Sequence, residues 1–217
     1  MTWKQNIGDL EREGMSAEEV KYVFFVLGGP GAGKGTQCAK LKEKYPITHL
    51  SAGELLRGEM AREGSEYGAL ISDLIKNGKI VPSKITTQLL LNAIKENKNK
   101  VFLIDGFPRN EENKQVWNEL ADPKIFDVVS CISFEVSLET LKKRIAIRAK
   151  TSGRSDDNAE SLLKRFDTFE KETMPIIKYY ESINKLNRYS GEESIDEVFA
   201  KVDETFKKFF DDHHIPY

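Results

Sequence analysis

Little in this sequence could build a metal centre or a disulfide framework. Of 217 residues, two are cysteine and three are histidine. Cys38 falls on a predicted helix and Cys131 on a predicted strand, without metal-ligand spacing, so both are expected to be buried free thiols. His213-His214 has no further ligands nearby, and the tail from Asp211 to Tyr217 is expected to fray. An excess of one charge is also missing. Lysine and arginine total 33 against 35 acidic residues, a net charge of -2, which gives no global attraction to nucleic acid or anionic lipid. Any cationic site must therefore be a local cluster. No apolar run approaches the ~20 residues of a membrane helix. Met1 to Val20 has neither the apolar core of a secretory signal nor the acid-poor composition of a transit peptide. The expected compartment is the cytoplasm, with the nucleus as the alternative. No internal repeat or low-complexity segment is present.

What is present fits a globular α/β chain. A hydrophobic share of 39% and a charged share of 31% suit one core with small inserts. The densest glycine stretch is Gly28-Gly29-Pro30-Gly31-Ala32-Gly33-Lys34-Gly35-Thr36. Gly28, Gly33 and Lys34 satisfy G-x-x-x-x-G-K, the loop that joins a strand to a helix and binds phosphate. Glycines let successive N–H groups turn inward on a polyphosphate; the helix start adds a partial positive charge and Lys34 a full one. An apolar run enters the loop and a mixed polar–apolar run leaves it, the context that separates a binding loop from an idle turn. One position departs from the general pattern. A Ser or Thr whose hydroxyl sits on magnesium should follow the lysine, and here Gly35 does, with Thr36 next.

Taken in order, Ser16-Ala17-Glu18-Glu19 reads as a helix start within an N-terminal extension, residues 1–20. Strands are expected at Tyr22–Leu27, Thr48–Leu50, Val101–Asp105, Val128–Phe134 and, more weakly, Leu186–Ser190. Between them lie helical patterns: Leu70, Ile71, Leu74 and Ile75 up to the Asn77-Gly78 stop; Ile85, Leu89 and Ile94; Leu138, Leu141 and Ile145; and Val198, Val202 and Phe206 after a Ser194–Glu197 start box. This alternation predicts a mostly parallel sheet covered on both faces. Residues 21–217 are expected to form one domain, with a helical excursion at 51–81 and a short polar loop at Thr151–Asn158 as its attachments.

Two features carry chemistry beyond the loop. Asp105 ends a buried strand, the placement that holds magnesium or its waters when a phosphate loop is present, and Arg109 follows closely. Arg148, Arg154 and Arg165 bracket the polar loop, which favours clamping of phosphates over a merely solvated face.

Together, Gly28–Thr36, Ser51-Ala52-Gly53-Glu54-Leu55-Leu56-Arg57, Gly78-Lys79-Ile80-Val81-Pro82, Asp105-Gly106-Phe107-Pro108-Arg109-Asn110 and Ser152–Asn158 resemble the nucleoside monophosphate kinases, and among them the eukaryotic-type UMP-CMP kinases. The likeness runs in unbroken order over about residues 21–210, and Gly35 is the form that family uses. It implies a P-loop NTPase-type fold: a five-stranded parallel sheet, an NMP-binding insert (51–81) and a lid (147–157). It implies ATP phosphates on Gly31, Ala32, Gly33, Lys34, Gly35 and Thr36, with Arg148 also on ATP and Lys34 at the transferred group. Arg57 and Arg109 would hold the monophosphate, and Arg154 and Arg165 would reach both phosphates on lid closure. Ala52, Lys79, Ile80, Val81, Gly106, Phe107, Pro108 and Asn113 would complete the acceptor site, and Asp105 would organise the water shell of Mg2+.

The resemblance also bears on the acceptor base. Adenylate kinases typically place Thr where Ala52 stands and Gln where Asn113 stands. The shorter amide of Asn113, both donor and acceptor, could serve cytosine and uracil alike. The implied reaction passes the γ-phosphate of ATP to CMP or UMP, and to dCMP. The implied chain is a monomer with no nucleic-acid or membrane partner. Adenylate kinase activity is the alternative, and a nucleotide-binding switch without transfer the more distant one. Ala149 departs from the family's usual Gly at the lid hinge, and Glu193 stands where relatives often carry Lys.

Overall fold

The computed structural model describes residues 20–154 and 156–217; the helix start read at Ser16–Glu19 lies outside them. Five strands form one parallel sheet in the order β2-β3-β1-β4-β5: β1 Lys21–Gly28, β2 Ile47–Ser51, β3 Val101–Asp105, β4 Phe126–Glu135 and β5 Leu186–Ser190. The α/β class, the strand count and the parallel sense match the sequence expectation. β1 is central because both its faces are apolar. Phe24 and Val26 point into one half of the core, and Val23, Phe25 and Leu27 into the other.

Helices α1 (Lys34–Lys44) and α9 (Ile195–Asp212) cover the first face through Leu41, Val202, Phe206 and Phe210. The second face is covered by α4 (Ser83–Lys95), α5 (Glu111–Leu120) and α8 (Met174–Ser182), through Leu90, Ile94, Trp117 and Ile177. Ser194 caps α9 in a complete capping box with Glu197, as its spacing predicts.

The excursion after β2 consists of α2 (Ala52–Ala61) and α3 (Gly68–Lys76), joined by a small core of Leu56, Ile71 and Val81. The helical pattern at Leu70, Ile71, Leu74 and Ile75 forms α3 and stops at Asn77 as expected; Ile71 is buried, while Leu70 is 45% exposed. Helices α6 (Leu138–Arg148) and α7 (Ala159–Thr168) flank the polar loop, and a π-helical turn, Phe169–Thr173, connects α7 to α8. The frayed tail is a correction. Ile215 N–H donates to Phe210 O at 3.0 Å, and Tyr217 lies 4.9 Å from the Tyr45 ring, so the last residues fold back onto the core. Aromatic surface on Phe210 and Tyr45 outweighs the end-of-chain tendency to fray. Cys38 and Cys131 are buried and unpaired, as expected.

Candidate active site

β1 pairs with β3 on one side and β4 on the other, so the sequence order reverses about it. In such sheets the crevice beyond the strand carboxyl ends binds ligands. Here that crevice is a cleft of about 480 Å³. It is lined by Gly31 to Thr36, Ala52, Arg57, Lys79, Ile80, Val81, Asp105, Gly106, Arg109, Asn113, Arg148, Arg154 and Arg165. The sequence-predicted set thus converges, with two exceptions. Phe107 is fully buried against Phe25 and Trp117, and Pro108 is buried beside it; neither lines the cleft. They carry the chain from Asp105 to Arg109.

At the loop, Gly33 precedes α1 with φ +94, a left-handed conformation that no side chain favours, and no side chain caps the helix. The first-turn N–H groups, which a helix start leaves without internal partners, border the cleft. Lys34 Nζ folds back to donate to Gly28 O at 2.9 Å and Gly29 O at 3.1 Å. Burial lowers its pKa to about 8; Asp105 opposes the shift, while Arg109, Arg165 and Arg148 add to it.

Asp105 sits at the end of β3, facing Gly35: a Cβ on Gly35 would lie 3.9 Å from its Oδ2. Burial pushes this carboxyl up, but the nearby His49, Lys34 and Arg109 outweigh it and hold it below the usual carboxylate range. His49 Nε2 lies 3.5 Å from Asp105 Oδ2.

Across the cleft, Gly106 has φ +77, and a Cβ there would meet Arg109 Nη2 at 2.8 Å, so glycine leaves the guanidinium its place. Arg109 Nε donates to Gly106 O at 2.7 Å, and Thr173 Oγ1 donates to Arg109 O at 2.7 Å, tying the π turn to this segment. Asn113 is buried; its Oδ1 accepts from Arg109 N at 3.0 Å and its Nδ2 donates to Ser83 Oγ at 2.7 Å. The Asn113 amide expected to be open for a base is therefore engaged at both ends.

The remaining arginines are paired with acids. Arg148 holds Asp157 with two bonds, Nε to Oδ2 at 2.8 Å and Nη2 to Oδ1 at 2.5 Å. Arg165 Nη1 approaches Asp156 Oδ2 at 2.7 Å, but in poor alignment for a hydrogen bond, which leaves that nitrogen donor capacity. Arg57 Nη2 donates to Glu54 Oε1 at 2.5 Å, and Arg154 Nη2, from the polar loop, donates to the same oxygen. Thr168 Oγ1 donates to Gly78 O at 3.1 Å, a further tie between α7 and the excursion.

Glu54, Asp156, Asp157 and Ser83 did not emerge as site residues from the sequence. Glu54 had a signal, its i,i+3 spacing to Arg57 on one helix. Arg144, one turn before Arg148 on α6, also lines the cleft and donates to Gly191 O at 2.6 Å.

Residues 26–185 match the family profile described as adenylate kinase. The chain is 54% identical to the UMP-CMP kinase of Gallus gallus over 192 residues, covering 86% of this chain and 97% of that protein. It is 52% identical to the Homo sapiens UMP-CMP kinase and 49% to that of Xenopus tropicalis, with the same 86% and 97% coverage. With its phosphate loop, arginine cluster and parallel sheet in place, the chain belongs to the adenylate kinase family and groups with the UMP-CMP kinases within it.

Proposed function

We propose that the chain transfers the γ-phosphoryl group of ATP to the 5′-phosphate of CMP or UMP, giving ADP and CDP or UDP. One observation carries this reading. Arg57, Arg109, Arg154 and Arg165 border the same cleft as the glycine loop and Lys34, so there are cations for two phosphate chains. A switch that holds a single nucleotide needs only one set.

The attacking atom is a phosphate oxygen of the monophosphate, already ionised near neutral pH, so no general base is needed. The chain's residues act by position and charge. Loop N–H groups and Lys34 orient the β- and γ-phosphates, Arg57 and Arg109 aim the acceptor oxygen in line, and Arg148, Arg154 and Arg165 surround the moving group. Closure of the 147–157 segment over the 51–81 excursion would exclude water, which otherwise competes as acceptor.

Mg2+ fits this site in a restricted way. Among the described residues no three His, Cys, Asp or Glu gather to hold a metal ion. Asp105, held ionised and facing Gly35, suits an ion whose other ligands are phosphates and waters. Such an ion neutralises phosphate charge. The complete cleft lies within one chain, which favours a monomer acting on small molecules.

Ala52 and Asn113, both buried at the cleft, support a pyrimidine acceptor over adenine, since Ala52 offers a purine no polar partner. A coupled assay of ADP release across CMP, UMP, dCMP, AMP and GMP tests the reading. CMP and UMP should lead, and preference for AMP would overturn it in favour of adenylate kinase activity. Ala52→Thr with Asn113→Gln should shift the CMP-to-AMP ratio of kcat/KM toward AMP.

A further inference from the structure

We infer that Ser83, which does not touch the cleft, sets the balance between CMP and UMP by fixing the orientation of the Asn113 amide. This rests on the pyrimidine kinase reading above.

Ser83 is the first residue of α4 and fully buried. Its Oγ accepts from Asn113 Nδ2 at 2.7 Å, across 30 residues of sequence. At the other end of the amide, the acceptor Oδ1 faces the main-chain N–H of Arg109 at 3.0 Å. A backbone N–H only donates, so the oxygen must lie on that side, and the amide cannot be turned over without setting donor against donor. Asn113's own N–H donates to Asn110 Oδ1 at 2.8 Å, which fixes the backbone from which the amide projects. With one hydrogen on Ser83 and one lone pair on Arg109 N–H, the amide keeps one N–H and one lone pair, each in a fixed place.

That matters because the two pyrimidines differ at the edge such a group reads. Cytosine carries a donor amino group at C4 and an acceptor at N3; uracil carries an acceptor at C4 and a donor at N3. A freely turning amide matches either base by exchanging its oxygen and nitrogen. A pinned amide presents one order only, so one base is matched better. Arg109 N–H holds the oxygen side and is main chain, out of reach of side-chain substitution. Ser83 holds one of the two Nδ2 hydrogens and with it the tilt of the amide. Without it the oxygen stays on Arg109 N–H, but the nitrogen gains a second free hydrogen and the amide plane is released to swing toward the base. Ser83 is thus a positioning residue for base choice.

The test is kcat/KM for CMP and for UMP in the wild type, Ser83→Ala and Ser83→Thr. Loss of a buried hydrogen bond of this kind should move the CMP-to-UMP ratio by about threefold to tenfold in Ser83→Ala, carried by the KM of the monophosphate. The KM for ATP should stay within about twofold, and Ser83→Thr, which keeps the hydroxyl, should restore the wild-type ratio. Thermal unfolding checks the fold. If Ser83→Ala is unstable, Ser83→Cys, which fills the site with a weaker acceptor, replaces it with the same expectation. An unchanged ratio, or an equal loss for both substrates, overturns the role of Ser83 and leaves the kinase reading standing. A wild type inactive on both CMP and UMP overturns the reading and the inference together.

Discussion

The two ends of the cleft hold their cations in opposite ways. At the glycine loop, Lys34 is held by backbone carbonyls, and its charge is met only in part by Asp105. At the polar loop between α6 and α7, the arginines already have carboxylate partners: Asp157 on Arg148, Asp156 near Arg165, and Glu54 shared by Arg57 and Arg154. On the proposed reading the loop end would meet a phosphate without first giving up a carboxylate. The arginine end, on the same kinase reading, would exchange a carboxylate for a phosphate, which would assign its contacts to closure rather than to first binding.

The sharpest way to break this comparison is at Lys34. Lys34→Met removes the buried cation nearest the loop, and kcat should fall about a thousandfold, the upper range for a lost transition-state donor. The fold should tolerate the change, because burial disfavours the ammonium in the free protein. A fall of less than about tenfold in steady-state turnover would place the decisive charge elsewhere. Arg154→Ala comes next. It should lower kcat by on the order of 3 kcal/mol, more than a hundredfold, while the Kd for ATP moves little. Unchanged turnover would sink the assignment.

Glu54 tests whether acids at the arginine end compete with substrate. Its carboxyl is held below the usual range, mainly by its bond to Arg57 and also by Arg154, although burial opposes this. Since the pair is largely exposed, its net strength is small. Glu54→Gln should lower the KM for the monophosphate only about twofold to fivefold, with ATP KM unchanged. A raised KM would mean that Glu54 holds the arginines in place for phosphate.

This difference between the ends also explains what the sequence could disclose. The glycine loop was legible because local chain chemistry makes it: strand, glycines, lysine and helix start are contiguous. The five strands and their parallel sense followed from apolar runs alternating with helical periods. Strand order did not, because pairing β1 between β3 and β4 depends on contacts far apart in sequence. The partners of the arginines were hidden for a related reason. Glu54 and Arg154 are 100 residues apart, and nothing local in Ser152–Asn158 announces that Arg154 would reach across to α2. Ser83 opens α4 with no local signal of a partner, and only the fold brings it to Asn113. The folded-back tail was misread because end-of-chain position is a weak guide beside the aromatic surface of Tyr45 and Phe210.

The smallest effect is a proton count, and it separates the two ends most cleanly. In the free protein Lys34 has a pKa of about 8, below its ordinary value of 10.5. Between those values the folded state carries fewer protons at this site than the unfolded chain, so the free protein gains stability as pH rises through that window. A polyphosphate beside the ammonium favours its charged form and raises the pKa again. Binding of a non-hydrolysable ATP analogue at about pH 8.5 should therefore take up a fraction of a proton, and affinity should fall as pH climbs further. Burial lowers the Arg165 pKa only to about 10, so at about pH 8.5 exchange of its carboxylate partner contributes little to this count. Calorimetric titrations in two buffers of different ionisation enthalpy read the uptake directly. It should vanish in Lys34→Met and persist in Arg154→Ala. Equal heats in both buffers for the wild type would mean that Lys34 is fully charged before nucleotide arrives, and the contrast between a prepared end and an exchanging end would lose its electrostatic basis.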